Sequence, residues 1–379
     1  MKILVCGGNP AMLPHFRGPV LTELAAQGHE IVAVGGWAND AAEAQLNEMG
    51  VRYRTWPIVP TGLNPLADAV AVRHLIKICR EERPDVFFGY ALKPGMYGAI
   101  AARVAHVPRR VVLIEGLGYA FGRGRELKRL VARAFAELVF KIGLRATHHL
   151  VVLNRDDELF FRRRARSLPI TRMPGIGVDL SNFRPAKWPA GPMTFVMISR
   201  LLRDKGVGIF VETARRVRKR HDGVRFLLVG PWDPSPNGFT ENEVSQWRRQ
   251  GWVDYVGAQS DVRPFLAQAH ALVLPSSYRE GLPATLMEAA ASGRAVITTD
   301  GPGCRDGVLP GQTGLLLQRP TVENLEEAIE TLIDNPQAAE KMALNARSFA
   351  EDNFDVADHA RNLAHLLTAT GDAPAQSVG

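Results

Sequence analysis

Two glutamates, Glu280 and Glu288, are separated by seven residues in the segment Tyr-Arg-Glu-Gly-Leu-Pro-Ala-Thr-Leu-Met-Glu-Ala-Ala-Ala-Ser-Gly, which runs from Tyr278 to Gly293. The apolar run Ala271 to Leu274 before it reads as a buried strand, and Ala284 to Ser292 reads as a helix. Glu280 therefore stands just past the carboxyl end of a strand, the edge at which open α/β sheets take their ligands. The free N–H groups of the first helical turn, at Ala284, Thr285 and Leu286, carry the positive end of the helix dipole and suit a phosphate. Pro283 loses little at such a position. Glu288, about a turn into the helix, can accept hydrogen bonds from vicinal hydroxyls such as those of a ribose. Two glutamates alone would fit an acidic helix start. The glycine and proline ahead of the helix and the small alanines along it favour a nucleotide-sugar site.

Other residues of suitable chemistry fall at similar places. Arg200 and Lys205, in Ser199 to Gly206, follow the strand Thr194 to Ile198 and supply the bidentate and point-charge cations that hold a diphosphate. Gly230 and Gly257 each end a strand and permit close approach of backbone to a planar base. In the first half, Glu115 with Gly116 and Gly118 follows the strand Arg110 to Ile114. His15 and Arg17 start a helix, where His15 either orients or deprotonates a hydroxyl or serves the helix structurally. Lys93 is a cationic candidate for an acceptor phosphate. Gly7-Gly8-Asn9-Pro10 lacks the Gly-x-Gly-x-x-Gly spacing of a dinucleotide fingerprint, which disfavours a nicotinamide enzyme.

The elements that must position these residues are legible as short apolar runs alternating with helical patterns, the signature of βαβ units and a parallel sheet. The first series is Ile3 to Cys6, Glu30 to Val34, Val51 to Trp56, Asp85 to Phe88, Arg110 to Ile114 and Leu150 to Leu153. A second starts at Thr194 to Ile198 and continues with Phe226 to Val229, Trp252 to Val256, Ala271 to Leu274, Ala295 to Thr298 and Gly314 to Leu317. The pattern restarts across a stretch rich in glycine and proline, Pro174 to Pro192. The expected organisation is an α/β chain of two doubly wound domains facing one another across a cleft. Residues 1–174 form the first, 175–192 a linker, 193–354 the second, 355–370 a C-terminal helix and 371–379 a disordered tail.

The chain has 379 residues, 46% hydrophobic and 22% charged, enough for two cores. Cys6, Cys79 and Cys304 are odd in number and widely spaced, so neither a disulfide framework nor a zinc site is indicated, and a reducing cytoplasm fits. The N-terminal apolar run is too short for a signal peptide, and no run reaches transmembrane length. The net charge of +7 calls for an anionic partner. Much of it lies between Gly122 and Arg145, where Arg123, Arg125, Lys128, Arg129, Arg133, Lys141 and Arg145 face only Glu126 and Glu137. From Leu127, apolar residues at 127, 130, 131, 134, 135, 138, 139 and 142 make an amphipathic helix. Such a helix suits an anionic membrane surface, as it equally suits a helix that buries one face on a sheet. The basic clusters lack the aromatics of a nucleic-acid platform, so no nucleic-acid partner is expected.

The spacing of Glu280 and Glu288 resembles the E-x7-E motif of the retaining glycosyltransferases of family 4, which have the GT-B fold. The resemblance runs from the first strand to Phe354. It is carried also by Leu63-Asn64-Pro65, Glu115 to Gly118, Gly175 to Asp179, Lys205-Gly206-Val207, Gly257-Ala258, Ser260-Asp261, Pro283 and Gly303-Cys304. It implies that Glu280 contacts the donor sugar, that Glu288 binds the ribose, and that Arg200 and Lys205 neutralise the leaving diphosphate. A UDP-sugar is then a substrate, and neither a cofactor nor a divalent metal is expected, in keeping with the absence of an Asp-x-Asp cluster. Many members place a histidine where Glu115 stands, so either Glu115 or His15 serves the acceptor.

Within the family the chain looks most like enzymes that extend polyprenyl-diphosphate-linked sugars, such as the bacterial N-glycan-pathway α-1,3-N-acetylgalactosaminyltransferases. The implied acceptor is an undecaprenyl-diphosphate-linked sugar, handled by a cytoplasmic protein held peripherally at the inner face of a bacterial membrane. Arg125, Lys128 and Arg129, with His15, Arg17, Lys93 and Gly118, belong to that acceptor and membrane side. The rivals are a GT-B epimerase acting on a UDP-sugar alone and a non-enzymatic basic protein that binds membrane or nucleic acid.

Overall fold

The computed structural model describes residues 1–59, 64–117 and 127–369, the side chains of Leu127 to Arg133, Phe135 and Ala136 excepted. The chain divides into two compact units, Met1–Ile176 with the segment from Val356, and Gly177–Asp355.

In the first unit strands and helices alternate: β1 (Lys2–Cys6), α1 (Met12–Ala26), β2 (Glu30–Gly35), α2 (Asp40–Glu48), β3 (Arg52–Thr55), α3 (Pro65–Glu82), β4 (Val86–Tyr90), α4 (Leu92–Val104), β5 (Arg109–Ile114), α5 (Leu127–Ala146), β6 (His149–Val152), α6 (Arg155–Arg162) and β7 (Ile170–Arg172). They build a seven-stranded sheet in the order β3-β2-β1-β4-β5-β6-β7. All its pairings are parallel. Central strands such as Val-Phe-Phe-Gly-Tyr of β4 are buried throughout, as expected of a parallel sheet covered on both faces. The strand order reverses between β1 and β4, so the carboxyl ends of these neighbours form a switch point. β4 runs two residues beyond the apolar run read from the sequence and ends on Tyr90. The three-residue edge strand β7 has no apolar run to announce it.

The second unit repeats the plan with β8 (Thr194–Ile198), α7 (Val207–Val217), β9 (Arg225–Val229), α8 (Glu241–Arg249), β10 (Asp254–Gly257), α9 (Arg263–Gln268), β11 (Ala271–Leu274), α10 (Ala284–Ala291), β12 (Ala295–Thr299), β13 (Gly314–Leu317), α11 (Val322–Asp334) and α12 (Pro336–Asn353). Its six-stranded parallel sheet has the order β10-β9-β8-β11-β12-β13, with the reversal between β8 and β11.

The glycine- and proline-rich stretch is divided between the units. Val178 donates its N–H to the Phe354 carbonyl (2.7 Å), and Phe183 packs on the core of the second unit. Pro174 belongs to the first, where its carbonyl meets Nε2 of His359 at 2.9 Å. The C-terminal helix α13 (Val356–Thr368) returns to the first unit, burying Ala360, Leu363 and Leu367 in one cluster with Leu13, Val20, Leu21 and Leu24 of α1. The expected tail from 371 onward lies outside the described residues.

Helix α5 buries only part of the apolar stripe read from the sequence. Phe140 and Leu144 enter the core, and Gly143 lies so close to Met96 of α4 that a Cβ there would crowd its Sδ at 2.6 Å. Leu138 and Ile142, on the apolar stripe read from the sequence, are exposed at 54% and 45%, beside exposed Lys141 and Arg145. The close approach of α5 to α4 selects the face carrying Gly143, which turns the stripe outward at this end of the helix. Among the described residues no helix is long and apolar enough to cross a membrane.

Candidate functional site

The switch point of the second sheet gathers the residues with the clearest chemistry. Lys205 lies in the short 3-10 turn Arg203–Lys205 that follows β8, and Glu280 lies in the loop that follows β11, the neighbouring strand. Lys205 Nζ donates to the Glu280 carboxylate, with side chains only 18% and 12% exposed. The buried Ser276 donates to the same carboxylate oxygen at 3.4 Å, and the Tyr278 ring centroid lies 5.8 Å from Lys205 Nζ. Gly206 makes the approach possible. Its φ is +82°, and a Cβ there would overlap the Pro275 carbonyl oxygen of the β11 loop.

Helix α10 leads away from this loop with Pro283 as its N-cap and no side-chain cap. Leu286, expected among the phosphate donors, gives its N–H to the Pro283 carbonyl at 3.0 Å and buries its side chain. The N–H groups of Ala284 and Thr285 thus remain at the helix start, where the dipole favours an anion.

Glu288, one turn further, is part-buried, and its side chain makes no hydrogen bond or ion pair with any described residue. Burial alone raises its pKa from 4.5 to about 7. No described side chain or backbone N–H bonds this carboxyl, so a ligand offering two hydroxyl donors would find an acceptor in want of them.

The remaining residues of the second unit lie nearby in the fold. Arg200, just past β8, is 60% exposed and pairs with Asp233 at 3.2 Å, and bonds from Ser235 and then Arg200 hold the Asp233 carboxyl below its usual range. Gly230, just past β9, has φ +142° against the Ser199 carbonyl and donates its N–H to the Gly257 carbonyl at 2.8 Å, which joins the two glycines. Gly257 itself has nothing within 4 Å of a Cβ position.

In the first unit, Arg17 of α1 forms an ion pair with Glu115, just past β5. The two lie 98 residues apart in sequence. His15 is exposed, touches the Phe16 ring edge-on at 4.5 Å and makes no hydrogen bond to Glu115. Lys93 is engaged by the buried Asp68 carboxylate at 2.8 Å and the Val59 carbonyl at 2.9 Å, so its charge is met within the protein. Gly118 and Arg125 lie outside the described residues, and Lys128 and Arg129 belong to α5 with side chains outside them.

Sequence reading passed over Asp233, Ser276 and Tyr90. Following the apolar run of β4 to its end would have reached Tyr90, whereas nothing in the local pattern marks Asp233. Among the described residues no group of three or more His, Cys, Asp or Glu side chains could hold a metal ion.

Two family profiles match the chain. "Glycosyl transferase 4-like domain" matches residues 19–175, and "Glycosyl transferases group 1" matches residues 180–349. Among curated relatives, the N,N'-diacetylbacillosaminyl-diphospho-undecaprenol alpha-1,3-N-acetylgalactosaminyltransferase of Campylobacter jejuni is 27% identical over 93% of this chain and 94% of its own. The UDP-Gal:alpha-D-GlcNAc-diphosphoundecaprenol alpha-1,3-galactosyltransferase of Escherichia coli is 24% identical over 79% of each. Among solved structures, sucrose-phosphate synthase from Thermosynechococcus elongatus superposes with a TM-score of 0.80 over 97% of this chain and 98% of that one, at 20% identity. Anabaena HepE in complex with UDP-glucose gives 0.73 over 98% and 100%, at 18% identity. With both halves matched by glycosyltransferase profiles and the whole chain sharing the fold of such structures, this protein belongs to the family 4 glycosyltransferases of the GT-B fold.

Proposed function

We propose that the protein is a retaining glycosyltransferase that moves a hexose or N-acetylhexosamine from a UDP-sugar to an undecaprenyl-diphosphate-linked sugar at the inner face of a bacterial membrane. The observation that carries this reading is the Lys205–Glu280 pair at the second switch point, set beside the uncapped N-terminus of α10 and the partnerless Glu288. The donor belongs to the second unit. Glu288 accepts hydrogen bonds from the ribose hydroxyls, and Gly230 and Gly257 border the base. Lys205, Arg200 and the N–H groups of Ala284 and Thr285 hold the diphosphate. As the bond to the anomeric carbon breaks, negative charge develops on the leaving diphosphate, and these groups stabilise it in place. Glu280, fixed by Lys205 and Ser276, binds hydroxyls of the donor sugar and sets the anomeric carbon in position. Retention follows from attack on the leaving-group face, with a donor phosphate oxygen taking the acceptor proton.

The acceptor belongs to the first unit, where Glu115 stands at the carboxyl edge of the sheet. The lipid-linked nature of the acceptor and the α-1,3 transfer of GalNAc rest on the Campylobacter jejuni relative, which resembles the chain along nearly its full length. The Escherichia coli relative, with a galactose donor and another diphosphoundecaprenol-linked acceptor, keeps the class while changing the sugar. Attachment to the membrane is assigned to α5, through its exposed Leu138 and Ile142, the flanking Lys141 and Arg145, and Lys128 and Arg129, together with Arg125 ahead of it in sequence. The chemistry uses no metal, so transfer persists in EDTA. A panel of UDP-sugars offered with detergent-solubilised undecaprenyl-diphosphate-linked sugars tests the reading. Transfer from one or two donors supports it, and UDP-sugar turnover equal with and without acceptor would replace it by an epimerase.

A further inference from the structure

Arg17 is the most deeply buried charge near the first switch point. Its side chain is 3% exposed, and the only hydrogen bond it makes among the described residues goes to the Glu115 carboxylate, itself 30% exposed. Its guanidinium carbon lies 4.6 Å from the centre of the Tyr90 ring, and its Nε is buried without a hydrogen-bond partner. Tyr90 closes β4 and Gly7 follows the neighbouring strand β1, so both lie at the switch point itself. A Cβ at Gly7 would overlap the Tyr90 hydroxyl, which is also buried without a partner. The ring can lie under the guanidinium because residue 7 is glycine.

This arrangement is expensive as a stability device. Burying a guanidinium is costly, and one carboxylate with one aromatic face leaves most of its N–H donors unused. An apolar residue at this inward-facing position of α1 would pack at lower cost. What the arrangement provides is a carboxylate that reaches the surface at the sheet's ligand-binding edge while its orientation is set from beneath.

We propose that Arg17 is a positioning residue: from its buried place on Tyr90 it fixes the Glu115 carboxylate, which receives the hydroxyl of the sugar acceptor. The proposal rests on the glycosyl-transfer reading above and deepens it. At 3% exposure Arg17 does not touch the acceptor, and it acts through Glu115.

The test compares the full-length wild type with Arg17→Met, Arg17→Lys, Glu115→Gln and the double variant Arg17→Met with Glu115→Gln. Each is assayed with the UDP-sugar that the wild type uses and a solubilised undecaprenyl-diphosphate-linked sugar, alongside UDP binding by calorimetry and thermal melting. Arg17→Met is expected to lower kcat about 100-fold through misplacement of one group, with the acceptor KM and UDP affinity within about threefold of wild type. Arg17→Lys restores part of the rate, and Arg17→Met adds nothing once Glu115 is Gln. A merely structural arginine would instead lower the melting temperature and leave kcat of the folded fraction intact. A folded Arg17→Met with wild-type kcat, or losses that multiply in the double variant, overturns the proposal. Should Arg17→Met fold poorly, Arg17→Lys carries the same comparison, since wild-type kcat and acceptor KM in it together with an undiminished rate in Glu115→Gln would be equally fatal. If the wild type transfers from no UDP-sugar, the functional reading falls and this inference with it. If transfer is intact, failure of the variants to respond removes this inference alone.

Discussion

Replacing Glu288 by Gln keeps the shape of the side chain and removes its proton equilibrium, which makes it a clean probe of the donor site. The carboxyl is part-buried on α10, bonded to no described residue, and raised by burial from 4.5 to about 7. A displacement of that size corresponds to about 3 kcal/mol charged against the ionised form. The folded protein therefore holds this proton more tightly than the unfolded chain. The protonated carboxyl is best tolerated below about 4.5, stability is lost as pH rises from there through about 7, and above that the full cost is carried. A glutamine does not titrate. The variant should match the wild type near pH 4.5 and exceed it at pH 8 by about 2 kcal/mol, once residual solvent access is allowed for. For a unit of this size that is on the order of 5 °C in Tm.

Function should move the opposite way. A ribose diol donates more strongly to a carboxylate than to an amide oxygen, so UDP-sugar affinity at pH 8 should fall about tenfold in the variant. Wild-type affinity should itself weaken about tenfold between pH 8 and pH 6 as the carboxyl takes up its proton, while the variant stays flat. Melting curves at the two pH extremes and calorimetric titration with a UDP-sugar, whose diphosphate diester does not titrate in this range, measure both effects. A variant no more stable than wild type at pH 8, or one that binds the donor equally well there, would refute the idea that Glu288 is an uncompensated carboxylate kept for a ligand.

The other predictions concern the cations and the membrane face. Glu280→Ala and Lys205→Ala should each lower turnover by about 100-fold or more, read in kcat of the purified protein with saturating donor. Asp233→Asn releases Arg200 from an exposed ion pair and should tighten UDP binding by about two- to fivefold, measured by calorimetry, because such a pair holds its arginine by less than about 1 kcal/mol. Reversing Lys141 and Arg145 to Glu should weaken co-sedimentation with vesicles rich in anionic lipid by at least about 30-fold, at about 1 kcal/mol for each lost cation. Leu138→Ser with Ile142→Ser should lower binding to the same vesicles while leaving Tm within a few degrees, since both side chains are already exposed. Activity that survives chelation by EDTA, assayed with the natural donor, completes the set.

The fold could be read from the sequence because strands buried on both faces must be apolar along their whole length. Runs such as Ala271–Leu274 and Thr194–Ile198 coincide with observed strands for that reason. The places of Glu280 and Lys205 at the carboxyl edge of one sheet were readable because a strand end followed by a turn or helix start fixes the local geometry, whereas the adjacency of their strands β8 and β11 was not. What could not be read depends on contacts between distant segments. The pattern of α13 shows a helix, but not that its Leu363 and Leu367 pack against α1. The stripe on α5 shows two kinds of side chain, but only the contact of Gly143 with Met96 decides that Leu138 and Ile142 face outward. Nothing local to Lys93 marks its pairing with Asp68, 25 residues earlier. Arg17 and Glu115, 98 residues apart, had no local signal to join them.

The most direct test of the account is the anomeric configuration of the product. Wild-type protein supplied with an α-linked UDP-sugar and an undecaprenyl-diphosphate-linked sugar should yield an α-linked disaccharide, read from the anomeric proton coupling by NMR, with UDP released in equal amount and the product strongly diminished in Glu280→Ala. A β-linked product, or one formed undiminished by Glu280→Ala, would contradict the placement of donor and chemistry at the second switch point.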